Sequence, residues 1–136
     1  MNVIWALTML LVQPPAAPVE LDFEYYRTQV EPIFLEKRPG LTRCVVCHAG
    51  DERVAFLEGL EEGATTWTEE QSRRNFELVA ALVTPGDPLA SRLLVHPLEP
   101  AAGGDEFHTG GRQFSSQEDP AFATLAAWVR GETGGQ

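Results

Sequence analysis

Apolar residues recur at intervals of three and four along three stretches of the chain, a spacing that gives a helix one buried face. The stretches cover residues 21–38, 68–81 and 119–131. Their apolar positions are Phe23, Tyr26, Val30, Ile33 and Phe34; Phe76, Val79 and Ala80; and Phe122, Leu125, Trp128 and Val129. The pattern predicts an all-α domain built on three main helices.

Capping residues mark where the predicted helices begin. An acidic or hydroxyl side chain can accept a hydrogen bond from the free backbone N–H groups of a first turn, and proline favours the first helical position. The capping residues are Asp22, Thr68 with Gln71 as a capping box, Asp87 before Pro88, and Asp119 before Pro120. The Asp87 signal predicts a further short helix that ends near Val95.

The remaining features predict breaks and loops. Pro32 lies inside the first helical pattern and cannot donate a backbone hydrogen bond, which predicts a kink near Glu31 or a fresh turn at Pro32. Residues 49–66 and 103–114 contain several glycines and no clear periodicity, so both are expected to be loops. In the first loop we expect inward-facing side chains at Val54, Phe56, Leu57 and Leu60.

The strongest chemical signal is Cys44-Val45-Val46-Cys47-His48, which contains both cysteines of the chain. Cys-x-x-Cys-His is typical of c-type haem attachment, in which two thiols form thioether bonds to haem and the adjacent histidine binds the iron. The motif predicts one covalent haem c on Cys44 and Cys47, with His48 as the proximal iron ligand.

Three other interpretations of the motif are chemically possible. The cysteines could form a thioredoxin-type redox pair, although Val-Val separates them and no βαβ pattern surrounds them. They could bind zinc with His48 and a fourth ligand, His96 or His108, although the usual His-x₃₋₅-His pair is missing. A structural disulfide across so short a loop would remove little chain entropy and would leave His48 without a role.

Length and charge indicate how many domains the chain forms and which partners it can bind. The chain has 136 residues, of which 43% are hydrophobic, and this fits one domain with one core. With 20 acidic and 10 basic residues its formal charge is −10. Nucleic acid and anionic membrane surfaces are therefore poor partners for it. For a haem protein the expected partners are redox proteins, whose identity the sequence leaves open.

Residues 1–17 carry no charged side chain and contain an apolar run from Val3 to Val12. This pattern predicts a signal peptide cleaved near Ala16 or Ala17, followed by a haem domain over residues 18–136. The alternative is an uncleaved N-terminal tether, because no Lys or Arg precedes the run and ten apolar residues are too few to span a bilayer. We expect a periplasmic or secreted protein with no membrane span in the mature chain, which suits a haem attached outside the cytoplasm.

Taken together, these motifs resemble those of small monohaem cytochrome c domains, most closely the planctomycete-type branch of that family. The residues that carry the resemblance are Val30, Pro32 and Ile33, the motif from Cys44 to His48, the run from Pro85 to Pro88 with Ser91, and Trp128. It covers about residues 23–131. The resemblance implies a cytochrome c-like fold with long loops, in which Phe23, Tyr26 and Val30 pack against Leu125 and Trp128.

The chain departs from this family at the distal iron ligand, which the resemblance places as a methionine before the last helix. Its only methionines, Met1 and Met9, lie in the predicted signal peptide, and the sole lysine, Lys37, lies just before the motif. His108 stands in the loop where the family's methionine would fall and is our expected distal ligand. His96 is the alternative, and an open or water-bound position is the third.

The leading functional prediction is an exported one-electron carrier. A haem-based sensor or gas-binding protein would need an open distal position, and a haem-free zinc or redox module would need one of the other motif interpretations. No acid–base pair or nucleophilic triad stands out, so we do not expect an enzyme.

Overall fold

The computed structural model describes residues 16–134, and its regular structure is helical. The N-terminal helix consists of three consecutive segments, and four further helices follow it. They are Phe23–Tyr25, Tyr26–Val30 and Glu31–Leu35 (N-terminal helix), Cys44–His48 (motif helix), Glu69–Ala80 (middle helix), Arg92–Val95 (short helix) and Pro120–Val129 (C-terminal helix). Single 3₁₀ turns cover Pro88–Ala90 and Pro100–Ala102. Residues 16–134 contain no β-sheet, which confirms the all-α prediction.

Two further predictions concern membranes and export. Among residues 16–134, no helix has both the length and the apolar character needed to cross a bilayer. The predicted signal peptide lies outside the described residues except for Ala16 and Ala17.

The N-terminal helix changes register just before Pro32. Its start is capped by Asp22, whose carboxylate accepts a hydrogen bond from the Tyr25 N–H at 2.6 Å. Residues Tyr26–Val30 then form a π-helical turn, and the Glu31 N–H donates to the carbonyl of Tyr26, five residues earlier. A proline that lacks an N–H group is one cause of such irregular turns. The irregularity predicted near Glu31 and Pro32 takes the form of this π-helical turn, and the helix ends at Leu35, before the expected Arg38.

The predicted caps of the later helices are confirmed. Thr68 and Gln71 form a reciprocal capping box at the start of the middle helix. The Asp87 carboxylate accepts hydrogen bonds from two backbone N–H groups of the first 3₁₀ turn. The Asp119 carboxylate accepts one from Ala121 at the start of the C-terminal helix. Because capping involves residues close in sequence, these starts could be located without tertiary information.

The N-terminal and C-terminal helices pack through Tyr26 and Trp128, both fully buried. Their ring centres are 5.5 Å apart, and the indole N–H of Trp128 donates to the Asp22 carbonyl at 3.0 Å. Phe76 of the middle helix lies edge-on to both rings. The predicted contact between the first and last helices is confirmed at this aromatic cluster.

The loop after the motif helix returns to that helix. The N–H groups of Phe56 and Leu57 both donate to the His48 carbonyl at 3.0 Å. Leu57 is buried, whereas the Val54 side chain is 47% exposed. The prediction that Val54 faces the core was wrong, because Val54 lines a cavity and nearly half of its surface is exposed.

Candidate haem-binding site

A cavity of about 300 Å³ lies beside the motif helix. Every candidate residue predicted from the sequence lines it, namely Cys44, Cys47, His48, His96 and His108. Much of the remaining wall is apolar and includes Ile33, Phe34, Phe56, Leu82, Leu93, Phe114 and Leu125. An apolar cavity with a few converging polar groups is the usual form of a cofactor site.

The charge of the cavity is opposite to that of the chain. Three arginines, Arg43, Arg53 and Arg92, line the cavity and no carboxylate does, although acidic residues outnumber basic ones by 20 to 10. Arg53 pairs with Asp51 at 2.9 Å. Within residues 16–134, Arg43 and Arg92 form no ion pair with the protein. The two unpaired guanidinium groups suit an anionic ligand such as the propionates of haem.

His48 is held in the orientation that a metal ligand requires. Its Nδ1 atom lies 2.8 Å from the Val54 carbonyl oxygen, and its ring packs 4.3 Å from the Phe56 ring, centre to centre. A carbonyl oxygen can only accept, so Nδ1 carries the hydrogen and Nε2 is the nitrogen left to coordinate. Metal-binding histidines commonly donate their other N–H in this way.

His108 has the same arrangement in a different loop. Its Nδ1 atom lies 2.6 Å from the Gly111 carbonyl oxygen, which again leaves Nε2 as the coordinating nitrogen. Gly111 has a φ of 86°, in the left-handed region that favours glycine. Burial lowers the pKa of His108; the hydrogen bond to the Gly111 carbonyl opposes this effect, and the charges of His96, His48 and Arg112 add to it. The lowered pKa favours the neutral ring, which is the form that binds a metal ion.

The relative position of the two rings fits a shared metal ion. Their centres lie 6.2 Å apart and their planes are inclined by 32°. Two imidazoles that bind one metal ion from opposite sides, each through a nitrogen at about 2 Å, have ring centres about 6 Å apart. The pair therefore fits a bis-histidine metal site, and both rings line the cavity beside the two cysteines.

His96 is placed differently from the other two histidines. Its ring is edge-on to His108, with centres 5.3 Å apart, and its Nδ1 atom lies 2.6 Å from a carboxylate oxygen of Asp105. The hydrogen bond from His96 lowers the pKa of Asp105. Arg112 donates to the His96 carbonyl at 2.9 Å. The His96 side chain is therefore paired with Asp105 and does not cap the last carbonyls of the short helix. Its ring packs edge-on against the His108 ring.

The two cysteines lie one helical turn apart, and both are free thiols. Cys44 is half-buried and Cys47 is exposed. Burial raises the pKa of Cys44 to about 11, whereas the nucleophilic cysteine of a redox pair has a lowered pKa. The thioredoxin-type interpretation is not supported by this environment.

The zinc interpretation would need three or four ligands around one point. In the part of the chain that the structure describes, no group of three or more His, Cys, Asp or Glu residues is arranged to hold a metal ion. Cys44, Cys47 and His48 line the cavity from one helix.

Comparisons with family models, with curated proteins and with solved structures found no match to this chain. The functional assignment therefore depends on the motif and on the geometry of the cavity.

Proposed function

We propose that this protein is an exported monohaem c-type cytochrome, similar to the planctomycete-type branch, that carries single electrons between redox proteins. In this proposal residues 18–136 form one cytochrome c-like haem domain, and residues 1–17 are a signal peptide. The haem would be attached to Cys44 and Cys47, with His48 as the proximal ligand and His108 as the distal ligand.

One observation carries the proposal. The two cysteines and the two histidines line a single cavity, and the histidine rings are 6.2 Å apart with both Nδ1 atoms hydrogen bonded to backbone carbonyls. Each ring therefore offers Nε2 to a metal ion, and the motif cysteines are on the same helix as His48. A haem bound in this cavity would use both thiols and both Nε2 atoms.

The chain's own residues have distinct roles in this proposal. Cys44 and Cys47 retain the cofactor covalently, and the carbonyls of Val54 and Gly111 hold the two ligand rings in the required tautomer. Arg43 and Arg92 are available to bind carboxylates at the cavity. When bound, the haem supplies reversible one-electron oxidation and reduction at its iron.

The proposal is tested by producing the full chain in a host that attaches haem to exported proteins. Mass spectrometry after acid–acetone extraction should find the mass of one haem on the chain, and a pyridine haemochrome spectrum should identify haem c. The Cys44→Ala, Cys47→Ala double variant should lose covalent haem. Haem that is extracted from the unmodified chain, or a chain that retains zinc and no haem, would contradict the proposal.

The same preparation separates a carrier from a sensor. A carrier with two histidine ligands should be low-spin in both oxidation states and should bind carbon monoxide only by losing a ligand. Binding of carbon monoxide to the ferrous protein without ligand loss would contradict the electron-carrier proposal and favour a haem-based sensor.

A further inference from the structure

Three side chains buried between the N-terminal and middle helices each have a polar atom without a protein partner. These atoms are the hydroxyl of Tyr26, Oε1 of Glu31 and Nδ2 of Asn75. Tyr26 and Asn75 are completely buried, and Glu31 is 7% exposed. Buried polar groups without a hydrogen-bond partner destabilise a fold and are rare in native proteins, so we expect these three atoms to have a partner.

The π-helical turn brings two of these residues to one side of the N-terminal helix. Glu31 lies five residues after Tyr26, and its N–H donates to the Tyr26 carbonyl, so the two residues are one π-turn apart. Such turns often occur at functional sites. The negative charge of Glu31 also contributes to the raised pKa of the Tyr26 hydroxyl, although burial is the larger cause.

The middle helix supplies the third residue and fixes the orientation of the carboxylate. Ser72 donates a hydrogen bond to Oε2 of Glu31 at 2.9 Å, which leaves Oε1 as the free acceptor. Asn75 lies one turn after Ser72, and its Oδ1 accepts the Glu58 N–H at 2.7 Å. That bond settles which end of the amide is oxygen, so the free atom of Asn75 is a donor.

We propose that Tyr26, Glu31 and Asn75 bind one internal water molecule between the two helices. Water can accept hydrogen bonds from the Tyr26 hydroxyl and from the Asn75 amide while it donates to Glu31. These three bonds are the number that a buried water usually makes. A water with these three bonds needs two donors and one acceptor on the protein. Tyr26 and Asn75 are the donors, and Glu31 is the acceptor.

The site tolerates either protonation state of Glu31. Burial raises the pKa of this carboxyl group, while the hydrogen bond from Ser72 and the charge of Arg27 oppose the rise. Water donates to the carboxylate when Glu31 is ionised. When Glu31 is protonated, water accepts from the carboxylic acid and from the Asn75 amide and donates to the Tyr26 hydroxyl, which can also act as an acceptor. The site does not depend on haem, so its test is independent of the proposed function.

A crystal structure of the mature protein tests the site directly. We expect ordered water density within hydrogen-bonding distance of the Tyr26 hydroxyl, Glu31 Oε1 and Asn75 Nδ2. A direct hydrogen bond between Glu31 and Asn75, or a dry contact among the three groups, would overturn the proposal.

A stability measurement gives a second test. Tyr26→Phe should raise the unfolding equilibrium constant about 5- to 10-fold, because the water would lose one of its partners. The matched control, Tyr25→Phe, removes a hydroxyl from the adjacent, partly exposed residue and should change the constant less than 2-fold. An unchanged or lower constant for Tyr26→Phe would show that the hydroxyl has no partner and would overturn the proposal.

Discussion

The imidazole rings of His48 and His108 lie 6.2 Å apart although the residues are 60 positions apart in the sequence, and each Nδ1 atom is hydrogen bonded to a backbone carbonyl. The carbonyls belong to Val54 and Gly111, in two separate loops. Each ring is therefore held in place by its own loop, without a metal ion. Two preset imidazoles make a low-spin, bis-histidine iron the expected state of the bound haem.

Replacement of the distal ligand gives the first prediction. His108→Ala should convert the ferric haem from low-spin to high-spin, because one of its two strong nitrogen ligands is removed. Absorption and electron paramagnetic resonance spectra of the purified protein measure this change. The unmodified protein should also lack the charge-transfer band of methionine-ligated iron and should have a lower reduction potential than methionine-ligated relatives, since methionine raises the potential.

His96→Ala is the matched control for this experiment. His96 lies edge-on to His108 and pairs with Asp105, so its loss should leave the ferric haem low-spin. If His96→Ala produces high-spin haem and His108→Ala does not, the distal ligand is His96. If neither variant changes the spectrum, the iron has an open position and the sensor becomes the better proposal.

The helix starts could be predicted from sequence because each depends on neighbouring residues. Asp22, Thr68 with Gln71, Asp87 and Asp119 all bond to backbone groups within three positions. The five cysteine and histidine residues that line the cavity can also be selected from the sequence, because these residue types are rare in this chain and their chemistry is specific.

The supporting groups of the site could not be predicted in the same way. The acceptors for His48 and His108 are backbone carbonyls, and any residue can supply a carbonyl. Asp105 lies in a glycine-rich loop, nine positions from its partner His96, and no motif in the sequence links the two residues. The apolar character of Val54 predicts an inward position, but the loop leaves Val54 nearly half exposed beside the cavity.

A second prediction concerns the start of the mature protein, which we expect near Pro18. Val19 packs against Gly86 and Gly131, where an added Cβ atom would lie 3.4 Å and 2.8 Å from its methyl groups. Cleavage before Pro18 keeps this contact, whereas cleavage after Val19 would remove it. N-terminal sequencing of periplasmic or secreted protein measures the site, and an intact Met1 in a membrane fraction would instead favour the tether.

A third prediction concerns the ion pair between Arg38 and Asp119. Arg38 donates to both carboxylate oxygens of Asp119, at 2.7 Å and 2.9 Å, and thereby joins the segment before the motif helix to the cap of the C-terminal helix. Both side chains are less than one-fifth exposed. Asp119→Ala removes the cap and the ion pair and should lower the free energy of unfolding by about 2–3 kcal/mol.

Asp119→Asn separates the two contributions. The amide oxygen can still accept the Ala121 N–H, so only the charge-assisted pair is lost, and we expect a loss of about 1 kcal/mol. Urea denaturation measures both variants. Equal losses for Asn and Ala would show that the cap contributes nothing at this position.

The last prediction is a pH dependence that comes from Glu31. Burial raises the pKa of this carboxyl group above its ordinary value of 4.5, against the opposing effects of Ser72 and Arg27. Between pH 4.5 and the raised pKa, the folded protein therefore binds more of this proton than the unfolded chain does. Where the folded state binds more protons, stability falls as pH rises. The contribution of Glu31 should therefore be present below pH 4.5 and should be lost as pH rises through the raised pKa.

Glu31→Gln isolates this contribution, because glutamine keeps an oxygen acceptor for the Ser72 hydroxyl but cannot ionise. The difference in free energy of unfolding between variant and parent should grow in favour of the variant as pH rises from 4.5 to 7. The control, Glu77→Gln on the exposed side of the middle helix, should give a difference that stays nearly constant over this range. Several carboxylates with lowered pKa values, including Glu58, Glu69 and Asp105, give the parent an opposite slope at lower pH, but they are common to both proteins and cancel in the comparison. A flat Glu31→Gln difference would mean that the carboxyl group ionises as readily in the folded protein as in the unfolded chain, and a difference that falls as pH rises would mean that it ionises more readily in the folded protein. Either result would contradict the prediction.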